Sequence, residues 1–474
     1  MYRKIFLFLF SIPWPLMAQD AYFEKVYGTP GNDFSRSVKQ LESGSIYVLG
    51  NSDSGNIGTV DISVTKLDVQ GNEIWTNYYG TVNNDNAFYL NTCADGSFVL
   101  VAETESGPND LDILIYKIDT AGAVIWSRSF ASPVNETPKY IEELSYGGYI
   151  LCGTQNDIGG SNDILVVRLD TAGNYVWHTN YGRTDNEYSD MIHQVGNEFI
   201  LTADTRSYGA GGYDVILYRL DSLGNEIWSH TYGDSLQNGC QGLLLVSDGN
   251  YLSYGETEIF PFSPYDFYLE KIDSSGGSIW RYTYGGAGSD AIFSVKEDDN
   301  GDFICTGYSN SYNGMGPVDL VILKVSANGI FQWKQTYGGA GIDIGFEIIK
   351  ANDNEGFIIT GQTYNGSDEY YLLKLDENAE IIGVPEITNK NFVSDAFPNP
   401  AAADVTIRYS LEDVAGAVFV LTDITGRKIR EARLAASEGM ISLDISGVSP
   451  GTYLYSVGSE KGVLVTKKLM ILHR

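Results

Sequence analysis

The sequence predicts an all-β chain: a seven-bladed β-propeller of four-stranded antiparallel blades, followed by a small Ig-like β-sandwich. Six tryptophans, Trp75, Trp126, Trp177, Trp228, Trp280 and Trp333, are separated by 51, 51, 51, 52 and 53 residues. A period this regular marks a repeat architecture. Four or five residues after each tryptophan comes Tyr-Gly or a relative: Tyr79-Gly80, Phe130-Ala131, Tyr181-Gly182, Tyr232-Gly233, Tyr284-Gly285 and Tyr337-Gly338, with Tyr27-Gly28 as a seventh. From Pro398-Asn-Pro400 the period is lost, and short alternating strands such as Val405 to Tyr409 and Ala417 to Leu421 indicate a second, sandwich module.

At the N-terminus, Arg3 and Lys4 precede an apolar run from Ile5 to Leu16, and a small residue, Ala18, stands before Gln19. This pattern is a secretory signal peptide over residues 1–18. The run contains Pro13 and Pro15 and falls short of the roughly 20 residues a membrane span requires. No transmembrane segment is expected elsewhere.

One unit, residues 285–338, shows how a blade is encoded. A Gly-rich loop ending at Asp290 leads into a strand at Ile292 to Glu297; a turn at Asp298 to Gly301 leads to a second strand at Phe303 to Tyr308. A third follows at Asp319 to Val325, and the turn Ala327 to Gly329 opens a fourth, Ile330 to Tyr337. Asn/Asp/Gly turns between short strands read as one antiparallel sheet. The third strands, such as Asp163 to Leu169, are apolar on both faces, as expected of sheets packed between neighbours. Such units must stack, and a closed ring removes exposed ends. The seventh unit ends at Ala379 to Gly383 without Trp or Tyr-Gly, whereas Tyr22 to Gly28 aligns with Ile74 to Gly80. The N-terminal segment is therefore expected to supply the missing fourth strand, and the tryptophans to pack blade against blade. The expected domains are a propeller over 19–384, a linker over 385–395 and a sandwich over 396–474.

The formal charge of −31 is unevenly placed. Residues 393–474 are balanced, leaving 19 basic and 52 acidic residues in 19–392, a net of −33. Such a field repels nucleic acid. Cys93, Cys152, Cys240 and Cys305 fall in four different units with no shared spacing, so free, buried thiols are expected and no zinc motif is present.

Two acidic sets recur. One begins the first strand: Asp33, Asp85, Glu136, Glu187, Asp290 and Asp343, with Asn238 in the fifth unit. The other opens the third strand: Asp61, Asp112, Asp163, Asp214, Asp266, Asp319 and Glu369, followed five residues later by Lys66, Lys117, Arg168, Arg219, Lys271, Lys324 and Lys374. Both acidic sets should rim one mouth of the ring. They are candidates for a cation-binding or glycan-binding face, with Ca²⁺ the cation considered and no other cofactor implied. Against this, recurrence in every unit favours carboxylates that cap loop N–H groups and pair with a neighbouring blade's Lys or Arg. The turn Asp298 to Asp302 resembles a calcium loop but lacks the downstream Glu, and reads as a hairpin turn. No catalytic residue is nominated: the histidines have no partner spacing and no nucleophile motif appears.

The stretches Tyr284 to Asp290, Asp299-Asn-Gly301, Phe303 to Gly307, Asp319 to Lys324 and Trp333 to Gly338 resemble the bacterial β-propeller repeat family known as SBBP. That resemblance implies a fold and no single activity. Pro398-Asn-Pro400, Asp423 to Arg427, Gly451 to Val457 and Lys467 to Ile471, in this order, resemble the type A C-terminal sorting domain of the type IX secretion system. The resemblance implies a Gram-negative source, passage across the outer membrane, removal of the domain by a sortase-like peptidase, and release or surface attachment. Asp119-Thr120-Ala121, Asp170-Thr171-Ala172, Asp221-Ser222-Leu223 and Asp234-Ser235-Leu236 resemble the O-glycosylation sequon of bacteria with this system, which makes Thr120, Thr171, Ser222 and Ser235 candidate acceptors.

The expectation is thus a monomeric, secreted or surface-attached binding or scaffold protein for a glycan, protein or cation. The alternative is an extracellular glycosidase or lyase built on the propeller, which predicts a deep central pocket lined asymmetrically by acids and aromatics.

Overall fold

The computed structural model describes residues 22–380, 392–393 and 404–471, apart from 30, 56, 108–109, 157–159, 259–263, 313–315, 353–355, 365, 412–416, 435–437 and 460–461. The signal peptide, most of the linker and Pro398-Asn-Pro400 lie outside the described residues. Two compact units divide at residues 383 and 384.

Seven four-stranded antiparallel sheets make up the first unit. Six are consecutive in sequence, the first comprising Asp33–Gln40, Ile46–Ser52, Asp61–Leu67 and Glu73–Tyr79. The seventh combines Ile342–Lys350, Phe357–Tyr364 and Asp368–Leu375 with Phe23–Tyr27, which pairs antiparallel with the last of these from Phe23 opposite Lys374 to Tyr27 opposite Tyr370. The N-terminal strand closes the ring as the sequence alignment of Tyr22 to Gly28 implied.

The second and third strands are buried almost throughout, as in Phe303–Ser309 and Asp319–Val325. Apolar clusters lie between successive blades: Tyr47, Leu49 and Val64 of the first meet Ala87, Leu90 and Phe98 of the second. Across the closure, Phe23, Ile358 and Leu372 meet Val38, Ile46 and Val48. All four cysteines are free and buried.

The repeated Tyr-Gly acquires a physical role here. Each tyrosine hydroxyl donates to a carbonyl in the last turn of the next blade: Tyr79 to Gly122 at 2.7 Å, Tyr232 to Gly276 at 2.7 Å and Tyr284 to Gly329 at 2.6 Å. Tyr27, Tyr181 and Tyr337 do the same to Gly71, Gly224 and Ala379. Phe130 lacks the hydroxyl and packs instead against Tyr175 and His178. The recipient turn needs a left-handed residue, Gly122 at φ 81° for example, and that glycine lies against the preceding blade's indole: a Cβ there would stand 2.9 Å from Trp75. The tryptophans are half-buried.

The second unit is a sandwich of a three-stranded sheet (Phe392–Val393, Asp404–Ser410, Glu438–Asp444) and a four-stranded one (Lys428–Arg433, Val418–Asp423, Gly451–Ser459, Gly462–Ile471). Alternate residues Val405, Ile407, Phe419, Leu421, Tyr455 and Leu469 fill its core.

Candidate functional site

The first strand of every blade carries a β-bulge at the same place. Its register breaks between Ser35 and Ser37, Ala87 and Tyr89, Pro138 and Tyr140, Ser189 and Met191, Cys240 and Gly242, Ile292 and Ser294, and Gly345 and Glu347. A bulge leaves one residue out of the ladder and re-aims its side chain. The seven extra residues are Arg36, Phe88, Lys139, Asp190, Gln241, Phe293 and Phe346, and all of them line one cavity of about 540 Å³. This volume is typical of a small-molecule site. Opposite each bulge the second strand holds a small residue: Gly50, Ala102, Gly153, Ala203, Gly255, Gly307 and Gly361. The carbonyl of the bulged strand sits so close that a Cβ at Gly307 would lie 1.9 Å from Ala291 O.

The wall is asymmetric although the backbone repeats. Tyr89 and Tyr140 pack with ring centroids 4.5 Å apart, and Tyr140 meets the His193 ring edge-on at 5.1 Å. Both imidazole nitrogens face oxygens, Glu142 Oε2 at 3.0 Å and Leu243 O at 3.1 Å. Phe293 and Phe346 lie 5.8 Å apart, and the Arg36 guanidinium sits 5.4 Å from the Phe346 centroid. In the fifth blade Gly242 takes the position after the bulge, and Tyr254 fills the space it leaves.

Glu347 is fully occupied by the protein. It accepts from Ser37 Oγ, Val38 N and Lys39 Nζ, each at 2.7 Å, and from Tyr89 Oη at 3.0 Å. Burial would raise its pKa, but the Lys39 and Lys296 ammonium groups and these hydrogen bonds outweigh it and hold the carboxyl below its usual range. Burial also raises Tyr89, Tyr140 and Tyr254 well above ordinary phenols.

Asp190 differs. Its side chain is 5% exposed, Oδ1 lies 3.9 Å from Lys139 Nζ, and Oδ2 has no hydrogen-bond partner. Burial pushes its pKa up to about 7, against the opposing pull of Lys139 and the Cys240 thiol. Asp204 beside it is raised as well, by burial and by Asp190, although it accepts Cys240 N at 2.6 Å. Phe88, Lys139, Asp190 and Gln241 also line a second cavity of about 280 Å³ with Thr137, Tyr188 and Asp204, so the waist of the ring is shared by two spaces.

The acidic residues singled out in the sequence lie elsewhere. Asp33, Asp85, Asp290 and Asp343 are buried at the start of the first strands and accept from the amide four residues back: Thr29 N at 2.6 Å, Thr81 N at 2.5 Å, Gly286 N at 3.0 Å and Gly339 N at 2.8 Å. Glu136 and Glu187 do likewise with Ser132 and Arg183. In the second set Asp61, Asp214 and Asp319 are buried and accept from Gly58, Ala210 and Gly316, while Asp112, Asp163 and Asp266 are half-buried. The sets meet across the Tyr-Gly glycine: a Cβ at Gly285 would lie 2.1 Å from Asp266 Oδ1 and 2.8 Å from Asp290 Oδ2.

The basic row pairs differently from expectation. Lys117, Lys271 and Lys324 bridge Asp95, Asp248 and Asp298 at 2.9, 2.6 and 2.7 Å, and Arg219 bridges Glu198 at 2.6 Å. These partners sit in the first turn of the same blade or beside it, at the opposite end from both acidic sets, because five residues of extended chain carry the cation to the far edge. Asp298 to Asp302 is a hairpin turn closed by Asp298 N to Asp302 O at 2.8 Å. Among the described residues no group of three or more His, Cys, Asp or Glu is arranged to hold a metal ion. Thr120, Thr171, Ser222 and Ser235 are exposed, and Asp119, Asp170, Asp221 and Asp234 each accept a backbone amide of their own turn.

Residues 395–472 match the family described as the secretion system C-terminal sorting domain. The protein is therefore an exported propeller, sent to the cell surface or the extracellular space by the type IX system through this module. Among the described residues no helix is long and apolar enough to cross a membrane. No curated protein matches the chain in sequence. Among solved structures it is similar to an ulvan lyase of polysaccharide lyase family PL25 bound to -[GlcA(1-4)Rha3S]-, with a TM-score of 0.51 and 11% identity over 74% of this chain and 96% of that one. A second structure of such a lyase gives 0.51 at 10% identity over the same shares. The propeller domain of the Trilobed protease from Pyrococcus furiosus gives 0.43 at 12% identity over 74% of this chain and 96% of that chain. Identities this low show the fold alone.

Proposed function

We propose that this protein is a monomeric, surface-attached or released binding protein whose SBBP-type propeller takes its ligand into the central cavity. The observation that carries the reading is the ring of bulges, which aims seven dissimilar side chains into one space. The recurrent carboxylates, Asp33 and its counterparts, serve in this reading as clamps on their own loops. Thr120, Thr171, Ser222 and Ser235 remain candidates for O-glycosylation, read by mass spectrometry of the secreted protein.

The asymmetric lining is what a glycosidase or lyase on this scaffold would display, and ulvan lyases share the fold. Binding is favoured because Glu347 is occupied by four hydrogen bonds, both nitrogens of His193 by oxygens and the tyrosines by burial, which leaves Asp190 without a second free carboxylate, imidazole or phenol among the residues lining the cavity. The deciding experiment incubates the secreted full chain with a glycan array and with oligosaccharides followed by mass spectrometry. Retention without cleavage, lost on substituting Phe293→Ala, supports binding. Cleavage products abolished by Asp190→Asn would replace this reading with the enzymatic one.

A further inference from the structure

We infer that the central cavity takes an acidic oligosaccharide, with its carboxylate or sulfate groups held by Arg36, Lys139 and Lys296 and a hydroxyl held by Asp190. This rests on the proposed central binding site and adds the chemical class of its ligand.

Charge pairing within the protein carries the argument. Residues 19–392 hold 52 acidic groups against 19 basic ones, so a cation there has carboxylates in excess to choose from. On the third strands Lys117, Arg219, Lys271 and Lys324 each bridge one at 2.6 to 2.9 Å, while Lys66 and Arg168 are satisfied by backbone carbonyls. The lining cations lack such a close carboxylate partner. Among the described residues Arg36 and Lys296 make no ion pair, and Lys139 makes only the 3.9 Å approach to Asp190. Of the lining carboxylates, Glu347 is already neutralised by Lys39 at 2.7 Å. The lining thus offers positive charge in a protein that is otherwise strongly negative, and unpaired guanidinium and ammonium groups match carboxylate or sulfate oxygens.

The remaining lining selects a sugar among anions. Phe88, Phe293 and Phe346 add aromatic surface to the same lining, which suits the C–H faces of pyranose rings. Asp190 lines the same space with Lys139 no closer than 3.9 Å, and its carboxyl is an acceptor for a hydroxyl. The acidic exterior disfavours polyanions of high charge density, yet its field is screened beyond roughly 8 Å at physiological salt, so a short chain with about one charge per sugar can enter.

The test uses isothermal titration of the secreted full chain with oligogalacturonate, sulfated carrageenan oligosaccharide, neutral cello-oligosaccharide and a poly-Glu peptide. Either acidic oligosaccharide should bind, and Arg36→Ala, Lys139→Ala and Asp190→Asn should each weaken it by about tenfold, as expected for a hydrogen bond to a charged group. Melting temperatures that do not fall in the variants separate this loss from misfolding. Preferential binding of cello-oligosaccharide, insensitive to Lys139→Ala but lost in Phe293→Ala, overturns the acidic class and leaves the central site standing. Preference for poly-Glu overturns the sugar class. Absence of binding by both acidic oligosaccharides overturns the inference, and binding that survives every lining substitution overturns the central-site reading too.

Discussion

Lys39 and Glu347 form an ion pair, Nζ to Oε1 at 2.7 Å, although 308 residues separate them. Lys39 is the penultimate residue of the first strand of the first blade, and Glu347 follows the bulge of the seventh. The pair joins the two sides of the ring closure from within, while Phe23–Tyr27 joins them from outside.

Because both groups are buried, removing one strands the other. Glu347→Gln leaves the Lys39 ammonium uncompensated and should cost about 3–5 kcal/mol. Joint replacement, Lys39→Met with Glu347→Leu, should cost less than Glu347→Gln alone. Urea denaturation midpoints of the full chain check the order.

The tyrosine hydroxyls between blades offer a graded test. Tyr232→Phe or Tyr284→Phe removes one bond to the next blade's turn, and each should lower stability by about 1 kcal/mol. Phe130→Tyr places the hydroxyl where the second blade lacks it and should raise stability by a similar or smaller amount. Thermal unfolding of the three variants reads both signs.

Gly242→Ala probes the cavity wall. The added Cβ would meet Tyr254 Oη at 2.3 Å and Met191 Sδ at 2.9 Å. Overpacking of this kind costs about 1–3 kcal/mol, and the displaced phenol should also lower ligand affinity in titration.

Asp190 gives a pH signature. Its folded pKa, pushed up by burial to about 7, lies above the unfolded value near 3.9. The folded state therefore binds the proton more tightly, so this group's contribution is present below about 4 and is lost as pH rises to about 7. Asp190→Asn removes this group's share of the dependence and leaves that of Asp204, whose pKa burial also raises. Relative to the parent protein it should gain stability between pH 5 and pH 8, measured by urea midpoints at both.

Much of the ring was legible because it is written in residues that recur. Trp75 to Trp333 set the period, and Tyr22 to Gly28 announced the closing strand. The role of the tyrosine was not legible, since a hydroxyl's partner on the next blade lies about forty residues away and has only a backbone carbonyl to offer. The cavity lining was missed for the opposite reason. Arg36, Phe88, Lys139, Asp190, Gln241, Phe293 and Phe346 mix cations, aromatics, an acid and an amide and so show no repeated chemistry, while the recurring acids drew attention and Asp33, Asp85, Asp290 and Asp343 accept amides of their own loops. A usable signal existed: each bulge residue stands three positions after the recurring acid or Asn238 at the start of the first strand, Asp33 before Arg36 and Asp290 before Phe293. The small residue opposite, Gly50 or Ala102, marks the bulge that frees it.

The closing strand also sets when this molecule becomes a molecule. Phe23 pairs with Lys374, so the first strand to be synthesised must wait for nearly the whole repeat region before it finds its place. Contacts that distant fold slowly, because the entropy of closing the loop is lost before any pairing offsets it. A chain still being made has an open ring and no central cavity, and the cavity comes into being only once the full set of blades is present.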